Sequence, residues 1–182
     1  SIKGAGITKE GKVLDVFSMP VDQADTREAT INKLINAVNV YVKDQCFKKE
    51  EILGIGCGVP GVMDTKTGIV TYSNNLRWFD LPIVEMLEKG TGLKVRITND
   101  ANAAALGEAR FGAGKKYKNI IMITLGTGVG GGIVIDGKLF EGNLGKGAEL
   151  GHSVLVMDGE QCSCGRKGCF EAYASATALI RD

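Results

Sequence analysis

The sequence predicts an α/β protein, and three observations predict it. Short apolar runs that end in glycine or asparagine read as buried strands; the clearest is Ile120-Ile121-Met122-Ile123-Thr124-Leu125. Between such runs lie segments with apolar residues at helical spacing, such as Ile31, Leu34, Ile35, Val38 and Val42. A strand-like run at 94–98 also passes through Asn99-Asp100-Ala101-Asn102 straight into an alanine-rich helix reaching about Arg110.

Composition narrows the class. Apolar residues make up 44% and charged residues 24% of the 182, the balance of a globular chain with its own core. The net charge is +1, so this segment shows no electrostatic footprint for nucleic acid. No run is long enough to span a bilayer, and none has the pattern of a secretory signal. Of five cysteines, four show no obvious disulfide logic once a metal is considered, which suggests a reducing, cytoplasmic setting. The 26 glycines gather in turns, which suits close approach of backbone to ligands.

Taken in order, residues 2–8 and 13–17 read as two paired strands around Glu10-Gly11. Asp25 with Glu28 has the form of a capping box before the first helix. Residues 52–57 read as a buried strand ending at Gly58-Val59-Pro60-Gly61, and Val62-Met63 and Ile69-Val70 flank a hairpin. Asp80 suits an N-cap, Pro82 a first turn and Gly90 a stop, with Ile83, Val84 and Leu87 facing the core. The Gly/Lys-rich stretch 111–118 is the best boundary, giving domains 1–114 and 115–182. Beyond it come the 120–125 strand, a glycine turn over 126–132, and a second strand, Ile133-Val134-Ile135, closed by Asp136-Gly137. A further strand is expected over 153–157 and one helix over 169–181.

Four places carry chemistry. The turn Gly126-Thr127-Gly128-Val129-Gly130 offers backbone amides to an anion with no Cβ in the way, and Thr127 adds a hydroxyl. It fits neither the dinucleotide fingerprint nor the Walker A pattern, and a plain glycine-rich hairpin accounts for it equally well. Asn74 and Asn75 can donate to and accept from sugar hydroxyls, or serve as ordinary turn residues. Asp100 stands at the carboxyl end of a strand, where open α/β sheets bind ligands, and can act as a general base; a helix N-cap is the competing use. His152, the only histidine, and Cys162, Cys164 and Cys169 form a nitrogen/sulfur donor set suited to a structural zinc ion, with free buried thiols or a disulfide as the other readings.

Three stretches together resemble one family: Leu125-Gly126-Thr127-Gly128-Val129-Gly130-Gly131-Gly132, then Gly147-Ala148-Glu149-Leu150-Gly151-His152, then Cys162-x-Cys164-Gly-x-x-Gly168-Cys169-x-Glu171. They are similar to the signature of the ROK family of bacterial sugar kinases and sugar-responsive repressors. The resemblance implies an actin-like, ribonuclease H-like ATPase fold with two lobes of mixed sheets flanked by helices. It implies ATP-dependent phosphorylation of a glucose-like hexose, with Asp100 as base and Asn99 orienting the sugar. Glu149, His152 and Glu171 would join Asn74 and Asn75 on the sugar hydroxyls. Gly126, Thr127, Gly128 and Gly130 would hold ATP, with magnesium on its phosphates. Zinc on His152, Cys162, Cys164 and Cys169 would be structural, and the full-length protein a homodimer. The alternative is a repressor whose DNA-binding domain precedes this chain. The family's Asp-x-Gly-Gly-Thr motif, which would stand just before Ser1, is absent, so the chain reads as a fragment that is a poor kinase alone. Lys146 also stands where small residues are usual.

Overall fold

A computed structural model describes residues 1–22, 24–73, 75–145 and 147–181, leaving out the side chain of Leu144. The chain divides into two compact units, Ser1–Asn99 and Asp100–Asp182.

In the first unit, β1 (Ile2–Ile7) and β2 (Val13–Met19) pair antiparallel. The helix α1 (Arg27–Asp44) starts at Thr26, which has extended backbone angles and whose Oγ1 accepts the Ala29 N–H at 3.1 Å. Asp25, expected in that role, instead pairs with Lys33 at 2.6 Å. The strand β3 (Ile55–Val59) begins later than the expected 52. A meander follows: β4 (Val62–Asp64), β5 (Ile69–Ser73) and β6 (Trp78–Leu81), joined in that order. Asp80 therefore belongs to β6, and Pro82 precedes α2 (Ile83–Thr91). That helix stops at Gly92, which takes the left-handed C-cap conformation at φ 71°, and not at Gly90. Gly90 leaves room for Ile35 of α1; a Cβ there would stand 2.5 Å from its Cδ1. The strand β7 (Val95–Asn99) then pairs parallel with β3 in unbroken register, Ile55 opposite Val95 through Val59 opposite Asn99. Ile31, Val70, Leu81, Ile83, Leu87 and Val95 are almost wholly buried between these elements.

The second unit opens with α3 (Asp100–Arg110) and continues with β8 (Ile120–Leu125), β9 (Val129–Ile135) and β10 (Lys138–Leu139) in one antiparallel sheet ordered β10-β9-β8. Because α3 packs on β8 and β9, the division between units falls before this helix, and the connector at 111–118 lies inside the second unit. Asp136 and Gly137, at φ 51° and 73°, form the left-handed two-residue turn that matches strand twist.

The glycine run of β9 has a packing cause. A Cβ on Gly130 would stand 2.5 Å from Thr124 Oγ1 and 3.0 Å from Ala101 Cβ, and one on Gly132 would meet Ala105, so these two bring α3 onto the sheet. Gly131 faces the other way, where a Cβ would stand 2.7 Å from Leu150 Cγ. The turn expected over 126–132 is thus only 126–128; the rest is strand.

Residues 153–157 form no strand. Their backbone meets the cysteine loop at one bridge, Val154 opposite Cys169, with Leu155 and Val156 both donating to the Gly168 carbonyl, too little for a ladder. The expected helix over 169–181 is two: α4 (Glu171–Ala174) and α5 (Ala176–Arg181). Ser175 takes extended angles between them, and its Oγ accepts the Ala178 N–H at 3.1 Å, capping α5. Among the described residues, no helix is long and apolar enough to cross a membrane.

Candidate functional site

The second unit gathers His152, Cys162, Cys164 and Cys169 so that one ligand atom from each lies within 4.8 Å of all the others. His152 Nδ1 is 3.7 Å from Cys162 Sγ, and Cys164 Sγ is 3.7 Å from Cys169 Sγ. Bonds of about 2.0–2.3 Å to a tetrahedral ion give ligand separations of about 3.6–3.8 Å. The donor set and its spacing fit a four-coordinate metal ion. The cysteines are free thiols, and 3.7 Å is far outside the roughly 2.05 Å of a disulfide.

The local backbone explains how short cysteine spacings reach this geometry. The Cys162 N–H donates to the Arg166 carbonyl at 2.8 Å and the Gly165 N–H to the Cys162 carbonyl at 3.1 Å, curling the loop back on itself. Gly168 sits at φ 76°, and a Cβ there would run into the Val156 carbonyl. The Arg166 guanidinium donates to the His152 carbonyl at 2.7 Å, tying the loop to the 3-10 turn Leu150–His152.

Thiol ionisation within the loop is uneven. Burial works against ionising Cys164, but hydrogen bonds from the backbone and side chain of Arg166, with Cys162 and Cys169 beside it, outweigh burial and bring the thiol down to about 6. Burial, with Cys164 and Cys162 alongside, pushes Cys169 up to about 11. Cys57, away from the loop in β3, is also pushed up to about 11 by burial and stays protonated.

Glu171 links this loop to the glycine turn. Its Oε2 accepts the Val129 N–H at 2.9 Å, and its Oε1 accepts the Ser163 hydroxyl at 2.8 Å, with Cys162 Sγ 3.8 Å away. The turn itself is held by its carbonyls. Gly126 O accepts the Ala176 N–H at 2.8 Å, and Thr127 O accepts the Thr177 hydroxyl at 2.7 Å. The Gly126 N–H closes the turn onto Gly128 O at 2.9 Å. Among the described residues the Thr127 and Gly128 amides have no acceptor, so two adjacent donors remain for a ligand. Gly130 is not part of this cradle: it lies in β9, with Thr124 and Ala101 filling the space above it.

Glu149 precedes the 3-10 turn, and its carboxylate is 4.0 Å from His152 Nε2, the ring nitrogen turned away from Cys162. Asp100 opens α3 with its side chain exposed, Oδ1 accepting the Ala101 N–H at 3.0 Å. Its helix rests on β9 just beyond the glycine turn.

The remaining candidates lie in the first unit. The Asn99 Nδ2 donates to the Gly61 carbonyl at 3.4 Å. Asn75 lines a recess of about 210 Å³ with Asp22, Asp25, Arg77 and Trp78. Asn74 lies outside the described residues, as does Lys146. Ser73 before them is fully buried, and its hydroxyl has no partner among the described residues, the mark of a group that a ligand or water satisfies.

The ROK family model matches residues 1–182. The chain belongs to the ROK family. The glucokinase of Halalkalibacterium halodurans is 39% identical over 182 residues, covering 100% of this chain and 55% of that protein. The xylose repressor of Caldicellulosiruptor bescii is 38% identical over 156 residues, 86% of this chain and 39% of that protein. The crystal structure of a ROK family glucokinase from Streptomyces griseus in complex with glucose and AMPPNP superimposes with a TM-score of 0.76 at 40% identity, covering 97% of this chain and 55% of that one. This ROK chain therefore has the actin-like ATPase fold, and it spans about half the length of the curated relatives it matches.

Three contributors to the site escaped sequence reasoning. Ser163 occupies the unspecified position between two cysteines, where nothing marks a role. Thr177 acts through a contact 50 residues away. Ser175 did carry a signal, being a capping residue inside a helical pattern.

Proposed function

We propose that the longer protein containing this ROK chain transfers the terminal phosphoryl group of ATP to a hexose hydroxyl, with glucose the first candidate. The observation that carries the reading is the second unit's arrangement: Asp100 heads a helix seated on β9, the strand that leaves a turn with two amides lacking an acceptor among the described residues. The identity with glucokinases along the whole chain supports it, as does the glucose and AMPPNP complex of the Streptomyces griseus protein.

In this mechanism the Thr127 and Gly128 amides hold phosphate oxygens. Asp100 takes the proton of the sugar hydroxyl as its oxygen attacks the terminal phosphorus, and the bond to the bridging oxygen breaks towards ADP. Asn99 orients that hydroxyl, while Asn74, Asn75, Glu149, His152 and Glu171 meet the others. Magnesium would supply charge neutralisation on the phosphates. His152 Nδ1, Cys162, Cys164 and Cys169 would hold zinc, which would supply a fixed loop geometry, while His152 Nε2 stays beside Glu149 and Ser163 rides on the same loop. The free thiols suit the cytoplasm.

A second reading is a sugar-sensing repressor, favoured by the 38% identity to a xylose repressor. The two separate when the longer protein is assayed with ATP against a hexose panel. ADP formation with one hexose supports the kinase. Absence of turnover with every hexose, together with sugar-dependent release of DNA, replaces it with the repressor.

A further inference from the structure

We infer that Ser163 is a positioning residue for Glu171: its hydroxyl, carried between two metal-ligating cysteines, sets the direction of the carboxylate that faces the sugar. The positional part stands on the geometry alone. The sugar part rests on the function proposed above.

The Glu171 carboxylate accepts the Val129 N–H at 2.9 Å on Oε2 and the Ser163 hydroxyl at 2.8 Å on Oε1, with Cys162 Sγ a longer, second donor to Oε1. Two donors from separate segments define the plane of a carboxylate; one leaves it free to rotate. Cys162 Sγ, 3.8 Å from Oε1, does not replace the serine, because a thiolate bound to a metal has no proton to give. Ser163 is therefore the side-chain donor that remains on Oε1 in the metal-bound state.

The serine is itself held on both sides. Cys162 and Cys164 flank it, and both belong to the cluster with His152 and Cys169. The loop backbone is closed by Cys162 N–H to Arg166 O, at 2.8 Å. At the other end, Glu171 opens α4, two residues after Cys169, which is bridged to Val154. Metal occupancy is thus passed to the carboxylate through one hydroxyl. Ser163 is exposed and packs against no core, so a purely structural role would leave a serine there no work to do.

The test uses the full-length, metal-loaded protein and the variants S163A, S163T, E171Q and S163A/E171Q. Crystal structures of wild type and S163A read the carboxylate directly, and sugar affinity is measured without nucleotide. S163A is expected to retain its metal and melting temperature while Glu171 leaves its wild-type rotamer. Sugar Kd and KM should rise roughly 5-fold, the equivalent of one hydrogen bond, with kcat changing far less. S163T should restore affinity, and S163A should add nothing on the E171Q background. An unmoved Glu171 in S163A overturns the inference, as does loss of metal or an equal effect of S163A with and without Glu171. If wild type binds no hexose, the proposed function falls, and the position of Glu171 in S163A still decides the positional inference.

Discussion

Glu171 accepts the Val129 N–H at 2.9 Å through a gap that exists only because residue 128 is glycine: a Cβ on Gly128 would stand 2.5 Å from the same carboxylate oxygen. One acid thereby joins the start of β9 to the cysteine loop. G128A should force Glu171 off Val129 and cost about 1.5 kcal/mol, the low end for a hydrogen bond to a charged group, since the carboxylate is only half-buried. Sugar and nucleotide affinity of the full-length protein should fall together. A loss confined to nucleotide, measured by calorimetry with each ligand separately, would show that the link carries nothing between the two sides.

Thr177 reaches the same turn from the opposite direction, its hydroxyl on the Thr127 carbonyl at 2.7 Å. T177V keeps the shape and removes the donor. The Thr127 carbonyl can turn to water because the turn is exposed, so the expected cost is about 1 kcal/mol, roughly 5-fold in nucleotide Kd. Sugar Kd should not change. Equal binding of nucleotide by T177V and wild type would mean that the turn holds its shape without α5.

Arg166 governs the thiol chemistry of the loop. Burial resists ionisation of Cys164, and the Arg166 hydrogen bonds overcome it, bringing the thiol from 9.0 down to about 6. A folded-state value below the ordinary one stabilises the fold above the unfolded value, and that contribution is lost as pH falls through about 6. Metal uptake, which needs the thiolate, should weaken over the same range. In metal-free R166A, with the side-chain hydrogen bond gone, the pH midpoint of Cys164 alkylation should rise above that of wild type. Mass spectrometry of the alkylated peptide across a pH series reads it; an unchanged midpoint would leave the backbone hydrogen bond as the dominant cause.

The fold was legible wherever one physical pattern acted alone. The run Ile120–Leu125 and the strand-to-helix passage through Asn99-Asp100 were visible from local order, and Asp136-Gly137 from turn chemistry. Sequence reasoning erred where one residue type serves two purposes. Gly130, Gly131 and Gly132 read as turn because glycine is a turn residue, yet they are glycine because α3 and Leu150 press on a strand. Gly90 read as a helix stop for the same reason, when it is clearance for Ile35. Residues 153–157 have strand composition, but a strand needs a partner, and the cysteine loop offers one bridge. The four metal-ligating candidates were visible because nitrogen and sulfur donors clustered in one segment; Ser163 was not, since its role depends on a carboxylate that only folding brings near.

Asp100 provides the sharpest separation of structure from chemistry. Its Oδ1 accepts the Ala101 N–H at 3.0 Å, so it contributes to the start of α3 whatever else it does. Asparagine keeps an acceptor oxygen and caps helices as well as aspartate, so D100N should change stability by well under about 1 kcal/mol. It cannot take a proton. In the full-length protein, D100N should lower kcat by about 10²–10⁴, the usual contribution of a general base, with sugar Kd near the wild-type value. Urea unfolding, calorimetry with the hexose and an ADP-release assay together make the distinction. Turnover that survives in D100N would remove Asp100 as the base and leave it a capping residue. Turnover lost together with sugar affinity would make it a sugar ligand first, placing the proton transfer on another group.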